Sequence, residues 1–597
     1  MKKELPIGVE NFRDLIRGDF YYVDKTSFIK PVMESGSKVL LMTRPRRFGK
    51  TLFMDTLKNF LQLNPEKPGD QTKEAALFSG LAVANDIDFC RNFMSQFPVV
   101  FLSLKTGSGT TFEAAYRAFA RNLVNVAKQN AFLADSPRLT EADRTIFRRY
   151  LDLDYMRDLA HQDDVQAFLR DLVVFLCRHF GRQVVLLIDE YDVPLAKAAE
   201  MGYYDAMLPL VRDFLEEALK PNPDTGYDAE AYLYKGVLTG CLRVSKESIF
   251  TGLNNPDINT VCSEDTALSE AVGFTPEETQ TMLQYYGLAS RADDVRKWYD
   301  GYRFAQSDIY CPWDVINFCS KAASSADPLT YRPGNYWDGT GNTRPIQTFL
   351  SFLSSDDADR MQALMDGESI PLKVNEQLTY SDFKEHRSAD FWTLLLFSGY
   401  LTVEKVLPEL NTYCVRIPNE EIRDCFKKNI ESLYSKENGG AYVHYGADLA
   451  RAAVAGDAEG LRRILLPLLR KYVSVRDDAS RSPAENYYHG FLSALLACAG
   501  DAAMNVRSNP EAGTGYADLV FTSPDMETGV VFEVKRCSEP EKMRAEARRA
   551  LEQIREKRYG TFFDGYGCTR VYGYGIAFSK KACVVAVETI LPTTEEP

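Results

Sequence analysis

Hydrophobic and polar positions change their period several times along this chain, and each change marks an element. Four short apolar runs, Lys38–Thr43, Pro98–Leu104, Gln183–Asp189 and Tyr234–Thr239, read as buried strands. Between them lie stretches with apolar residues at helical spacing: Thr51–Leu63, Thr111–Gln129, Val165–Phe180 and Tyr203–Leu219. Strands alternating with helices predict a parallel sheet covered on both faces over residues 1–260. The polar, proline-containing stretch Asn64–Asp70 breaks the chain after the first helix.

The text differs over residues 261–440. Thr275-Pro276-Glu277-Glu278 is a helix start, with Thr as N-cap and Pro in the first turn. Helical text rich in aromatics follows, including Trp298–Phe304. A helix at Ala389–Phe397, a hairpin of Tyr400–Glu404 with Tyr413–Ile417, and a helix at Glu420–Tyr434 fit either a winged-helix module or a helical lid with one hairpin. Over residues 441–597 a helical section to Tyr472 leads into a second, smaller α/β unit. It reads as a helix (Pro483–Cys498), strands Tyr516–Thr522 and Gly529–Val534, a helix (Lys542–Lys557) and a strand (Arg570–Ala577). The expectation is an α/β protein in three parts, 1–260, 261–440 and 441–597.

Composition narrows this only a little. A chain of 597 residues exceeds a single core, and 45% hydrophobic with 26% charged residues is ordinary for a globular protein. A net charge of −14 argues against general affinity for nucleic acid or anionic membrane, but leaves room for a local basic groove. The first residues lack the apolar stretch of a signal peptide, and no apolar run reaches membrane-spanning length. Twelve cysteines without C-x-x-C pairs or metal spacing suit a reducing compartment, so the expected location is cytoplasmic, with no membrane partner.

Candidate chemistry gathers at two places. Arg44-Pro45-Arg46-Arg47-Phe48-Gly49-Lys50-Thr51 stands between the first strand and the first helix, where a phosphate-binding loop belongs. There, backbone N–H groups and the helix N-terminus face an anion, Lys50 supplies a charge and the Thr51 hydroxyl can ligate Mg²⁺. Arg44 occupies the usual first glycine position of that pattern. The run Val184–Ile188 ends in Asp189 and Glu190; placed beside the loop's own strand, it would bring Asp189 to the carboxyl edge of the sheet. Asp189 is then a candidate Mg²⁺ holder through water, and Glu190 the group that orients or deprotonates the attacking water. Arg243 is a candidate sensor of the γ-phosphate, Arg46 and Arg47 can neutralise charge from within the loop, and Asp192 is placed to orient a neighbour.

At the far end, Glu533 and Lys535 fall on one face of a strand, with Asp518 on the strand before it. Two carboxylates can hold a hard divalent cation, and a lysine beside them can position water or steady a phosphate. Glu485 on the preceding helix is a candidate third carboxylate. Asp518 with Glu533-x-Lys535 resembles the D…E-x-K core of the PD-(D/E)XK fold, and the resemblance implies that Gln553, on the following helix, positions water or substrate. That helix also carries Arg544, Arg548, Arg549 and Arg555, with Lys557 and Arg558 just beyond, a set that suits phosphate contact and a solvated face equally. His489 reads as structural.

The segments Asn11-Phe12-Arg13, Tyr22–Thr26, Arg44–Thr51, Ile188–Asp192 and Ser248–Asn255 resemble the bacterial AAA-ATPase-like family, whose members typically carry a C-terminal PD-(D/E)XK nuclease-like domain. In that family the loop is similar to R-P-R-R-F-G-K-T, so Arg44 belongs to a variant pattern. The resemblance implies a P-loop NTPase fold, ATP as nucleotide, and Lys50, Thr51, Asp189 and Glu190 as functional positions. It also places Tyr22–Lys25 near the nucleotide base. The family text before the nuclease-like Asp usually has a basic residue, where this chain has Tyr516-Ala517; Arg507 is the candidate substitute. The expected activity is ATP hydrolysis that controls a Mg²⁺-dependent nuclease acting on nucleic acid, DNA by fold analogy, with homo-oligomer formation left open. The alternative is a nucleotide-dependent switch whose C-terminal fold binds nucleic acid or protein without cutting.

Overall fold

The structure is a computed structural model describing residues 2–221, 228–243, 256–337, 355–376, 378–380, 382, 388–407, 412–435, 445–472, 484–497, 499–537, 539–579 and 581–590. The segment Ser248–Asn255 lies outside the described residues. The chain forms two compact units, Met1–Gly341 with Pro371–Glu421, and Asn342–Ile370 with Ile422–Pro597.

In the first unit, five parallel strands form the central sheet: β1 (Val39–Thr43), β2 (Val99–Ser103), β3 (Val184–Asp189), β4 (Leu233–Gly240) and β5 (Asp257–Asn259). Their order is β2-β3-β4-β1-β5. Every residue of β1 and β3 is buried, as expected for strands with helices on both faces. The sequence expectation that β3 lies beside the loop's strand is corrected by the pairing, because β4 bonds to both β1 and β3 and separates them. The reason is visible in β4 itself. It is buried along almost its whole length, and its Gly236 allows Leu219 to pack closely, so it takes a central place. Its Lys235 is buried, but the ammonium donates to the carbonyls of Ser35 and Ser37 at the strand's entry end.

Around this sheet stand the helices Lys50–Leu61, Phe112–Gln129, Gln162–Phe180 and Tyr204–Leu219, matching the periodic segments to within a few residues. The helix Pro276–Tyr286 starts on Thr275 with a complete capping box closed by Glu278. The aromatic text after it does not continue as helix. The helix Ala292–Tyr299 stops, and β6 (Tyr302–Phe304) pairs with β7 (Ser307–Ile309) as a hairpin. Gly301 makes the break: its φ is +101°, and a Cβ there would sit 2.0 Å from the Pro418 carbonyl oxygen. Further along, β8 (Ile370–Leu372), β9 (Thr402–Leu407) and β10 (Thr412–Arg416) form a sheet in the order β8-β10-β9. The helix Ser388–Ser398 precedes that hairpin and the helix Glu420–Ser435 follows it.

The second unit holds a mixed five-stranded sheet. Its strands are β11 (Met504–Ser508), β14 (Leu519–Thr522), β15 (Thr528–Arg536), β16 (Arg570–Ser579) and β17 (Ala582–Ile590), in that order across the sheet. A small hairpin of β12 (Glu511–Ala512) and β13 (Gly515–Tyr516) precedes β14. Only β15 and β16 run parallel, joined by the helix Met543–Glu556. One face of the sheet, with Leu519, Phe521, Phe532 and Val534, packs with residues of the helices Tyr445–Val454, Ala458–Tyr472 and Ala484–Ala497. The opposite face, with Val520, Val531 and Val571, packs with Ile554 of the crossover helix.

Candidate functional site

Two places bring the chemistry-bearing residues together, one in each unit. In the first, the carboxyl ends of β1, β3 and β4 meet at one edge, since Thr43 registers with Gly240 and Ile188 with Leu238. The loop from Arg44 to Gly49 turns over this edge and opens the helix at Lys50. Two left-handed residues shape it, Arg47 at φ +69° and Gly49 at φ +91°. For Gly49 that conformation costs nothing, whereas for Arg47 it is a strained choice kept at a site that needs the turn.

Asp189 is fully buried and held by two hydroxyls. Thr51 donates to its Oδ2 at 2.8 Å and Thr239 donates to its Oδ1 at 2.6 Å. The carboxylate from β3 and the hydroxyl that opens the loop helix are thus in direct contact across 138 residues of sequence. Lys50 folds over the loop and donates to the carbonyl oxygens of Arg44 (2.9 Å) and Pro45 (2.8 Å). Glu190, at φ +54°, has its carboxyl pushed above the usual glutamate range, first by burial and then by the Asp189 charge, with Lys50 opposing.

The four arginines of interest behave differently. Arg44 is fully buried and donates to the Thr43 and Asn259 carbonyls and the Asn259 amide oxygen, with its guanidinium 4.8 Å over the Phe304 ring. Arg46 is opposed by burial, but its neighbours Cys241, Tyr380, Asp192 and Glu190 raise its pKa and keep it charged. Arg47 lays its guanidinium 4.3 Å over Trp313, and its Nη1 is buried with no hydrogen-bond partner among the described residues. Arg243 meets Glu376 at 3.7 Å, and its Nε is likewise buried without a partner among the described residues. Asp192, read as orienting a neighbour, accepts from the backbone N–H groups of Cys241 and Leu242 and from the Tyr380 hydroxyl at 3.1 Å.

Phe48 is fully buried, edge-on to Tyr302 at 4.9 Å, and its carbonyl accepts from Gly273 N–H. It also lines a small cleft of about 80 Å³ with Tyr21, Tyr22, Val23, Gly49 and Phe274. Lys25 borders the same cleft and forms an ion pair with Glu278 at 2.6 Å. Tyr22–Lys25 therefore lies along an apolar cleft that begins at the phosphate-type loop.

In the second unit, β14 and β15 run antiparallel with Leu519 opposite Phe532, so Asp518 and Glu533 come side by side at the end of β14. Alternation puts Asp518 with Val520, and Glu533 and Lys535 with Val531, on the face that the crossover helix covers. Lys535 donates to Glu533 Oε1 at 2.8 Å, and the Glu533 side chain is almost wholly buried. Asp518 Oδ2 accepts from the Val534 backbone N–H at 2.6 Å. His489 contacts the Asp518 carbonyl oxygen through Nε2 at 2.9 Å, which fits its reading as structural. Gln553 donates to the Tyr559 hydroxyl at 3.2 Å, and Tyr559 lies within the electrostatic reach of Glu533, Asp518 and Lys535. Glu485 falls in the helix Ala484–Ala497, but its side chain is outside the described residues. Arg507 lies on β11, opposite Val520 of β14. Tyr516, on the β13 hairpin strand, is 66% exposed.

Both donor sets fit a hard divalent cation, with a hydroxyl and a carboxylate in contact at one site and paired carboxylates at the other. Among the described residues no group of three or more His, Cys, Asp or Glu side chains forms a ready metal cluster. The unpartnered donors on Arg47 and Arg243 suit an anion beside the loop. Tyr380, Glu376, Trp313 and Asp314 are invisible to sequence reasoning because each reaches the loop from a distant segment with no local motif. Among the described residues, no helix is long and apolar enough to cross a membrane.

Two family models match stretches of the chain, one at each end. The AAA-ATPase-like family, described as a predicted AAA-ATPase, matches residues 6–250. The PD-(D/E)XK nuclease superfamily matches residues 483–588. A relative from Azotobacter chroococcum mcd 1, named as an uncharacterized protein in the vnfD 5' region, is 26% identical over 587 residues and covers 97% of each chain.

Proposed function

We propose that this chain, which carries an N-terminal AAA-ATPase-like domain and a C-terminal PD-(D/E)XK nuclease-like domain, hydrolyses ATP and uses its nucleotide state to control a Mg²⁺-dependent nuclease. The observation that carries the ATPase reading is the direct Thr51–Asp189 contact at the mouth of the loop. Thr51 and Asp189 would hold Mg²⁺ there, and the bound ion would supply charge neutralisation for the nucleotide phosphates. Lys50 exchanges its two loop carbonyls for phosphate oxygens. Glu190 orients the attacking water and accepts its proton, a role helped by a carboxyl already raised toward neutrality. The Tyr22–Lys25 cleft receives the base, with Tyr22 and Phe48 as its aromatic walls.

In the second unit, Asp518 and Glu533 would hold a divalent cation, which would supply polarisation of the scissile phosphate. Lys535 positions the attacking water, and Gln553 acts with Tyr559 at the edge of the site. The arginines of the crossover helix are contacts for the nucleic-acid backbone, and DNA is the substrate by analogy with the fold. A second reading has one observation in its favour. Lys535 is committed to Glu533, and no three-carboxylate group stands among the described residues, as in a domain that binds nucleic acid or protein without cutting.

ATP turnover and cleavage of plasmid, linear and single-stranded substrates, with Mg²⁺ and with or without ATP, separate the two readings. Lys50→Ala is expected to abolish nucleotide binding. Glu190→Gln is expected to keep binding and lose about 10²-fold or more of turnover. Cleavage should vanish in Glu533→Ala and Lys535→Ala. Intact ATP turnover with no cleavage by the wild type under any condition would establish the switch reading.

A further inference from the structure

The chain passes between its two compact units three times: it leaves the first after Gly341, returns at Pro371 and leaves again after Glu421. Beside two of these crossings, still inside the first unit, stand side chains tied to the candidate nucleotide site. Five residues after the return, Glu376 pairs with Arg243 at 3.7 Å and accepts from the Tyr413 hydroxyl at 3.1 Å. Four residues further, Tyr380 donates to Asp192. At the second exit, Glu421 Oε1 accepts from the backbone N–H groups of Tyr336 and Trp337. Its carboxyl also lies within electrostatic reach of that of Asp314, which raises it after burial, and both groups are buried. Arg47 lies in the field of this acid pair, its guanidinium stacked on Trp313, the residue before Asp314.

We infer that Arg243 and Arg47 each have two competing sets of partners: they hold the chain at the two crossings through Glu376 and the Asp314–Glu421 pair, and they give up those partners when nucleotide phosphates compete for them. This inference rests on the ATP reading above and supplies the link between nucleotide state and the rest of the chain. The exchange is physically reasonable on three counts. The Arg243–Glu376 pair is long and partly exposed, with side chains 28% and 36% accessible, so little stability is lost in breaking it. Arg47 Nη1 and Arg243 Nε, buried and unpartnered among the described residues, are donors that a phosphate could satisfy and the present carboxylates do not. A triphosphate also carries several charges against the single carboxylate of Glu376. By linkage, whatever the phosphates take from the anchors, the anchors take from nucleotide affinity.

The reciprocity gives the test. In the full-length protein with Mg²⁺, Glu376→Gln removes the competitor for Arg243, so a fluorescent ATP analogue should bind about two- to fivefold tighter. Adding Arg243→Ala should erase that gain. Hydrogen–deuterium exchange should rise on ATP addition in peptides covering 371–380 and 412–425, and should not respond in Lys50→Ala. In Glu376→Gln, exchange in 371–380 should already be raised without nucleotide. Equal or weaker binding by Glu376→Gln, or ATP binding with unchanged exchange in both peptides, overturns the inference while leaving the ATP reading intact. No nucleotide binding by the wild type overturns both.

Discussion

Arg44 shows how one residue can look wrong in a motif and be right in a structure. Where a glycine is usual, this guanidinium is sealed inside the fold and pins the loop to β5 through Asn259. Burial lowers its pKa to about 9, and its hydrogen-bond partners are all neutral oxygens, so the charge is held by these bonds and the Phe304 ring with no carboxylate among the described residues. Arg44→Gly would restore the familiar pattern and leave three carbonyls, of Thr43, Asn259 and Leu268, and the Asn259 amide oxygen with lost partners, each worth about 1 kcal/mol. The expected result is a clearly lower melting temperature with no gain in ATP affinity, read by calorimetry and nucleotide titration. Glu421 makes a second residue-scale prediction. Burial and then the Asp314 charge raise its carboxyl, so the folded protein holds a proton that the unfolded chain releases above about pH 4.3. Stability from this group is fully present below that pH and is lost as pH rises toward the elevated folded value. Glu421→Gln keeps the acceptor for Tyr336 and Trp337 and provides a permanent donor, so its melting temperature should fall less between pH 6 and 9 than that of the wild type.

Among the elements, the longer apolar or periodic runs were legible, and very short or half-exposed strands were not. The four long strands of the first sheet could be read as continuous apolar runs, and the helices between them by one repeating buried face. The three-residue β5 has no room to show a period, and β17, partly exposed along most of its length, shows no clean alternation. Strand neighbours were also hidden: β3 and β1 both read as central, and only the pairing reveals β4 between them. The candidate site was legible where chemistry is local, as at Lys50-Thr51, Asp189-Glu190 and Glu533-x-Lys535. It was not legible at Glu376, Tyr380 or Asp314, which acquire meaning only through tertiary approach. The crossover helix Met543–Glu556 offers a test of how closely an element must sit. A Cβ on Gly575 of β16 would lie 2.0 Å from the Ala547 carbonyl oxygen, so Gly575→Ala has to push the helix away. Overpacking of this kind costs about 1–3 kcal/mol and displaces Gln553 and Tyr559 from the acidic face. A lower melting temperature together with lost cleavage is expected, whereas Gly565→Ala, with nothing within 4 Å, should change neither.

For the molecule as a whole, the order of the sequence and the order of the fold diverge. The AAA-ATPase-like match ends at residue 250, as though a fragment ending near 260 would hold the whole nucleotide site. Yet the loop at Arg44–Thr51 is finished by residues well beyond that point. Phe48 is enclosed by Tyr302 and Phe304, Pro45 packs against Gly399, Arg47 stacks on Trp313, and Lys25 pairs with Glu278. Gly399 itself needs φ +91° and accepts from the Tyr302 hydroxyl, so the later segment is built to meet the loop. A fragment of residues 1–260 would expose Phe48 and leave the charges of Arg47 and Lys25 without these neighbours. It is expected to aggregate or to melt without cooperativity, and to bind no ATP in a saturable way. A fragment of residues 1–421 retains every one of these contacts and is expected to bind ATP with the affinity of the full chain. If 1–260 bound ATP as tightly as 1–421, the loop would be complete within its own sheet, and the packing of the later segments against it would be irrelevant to nucleotide binding.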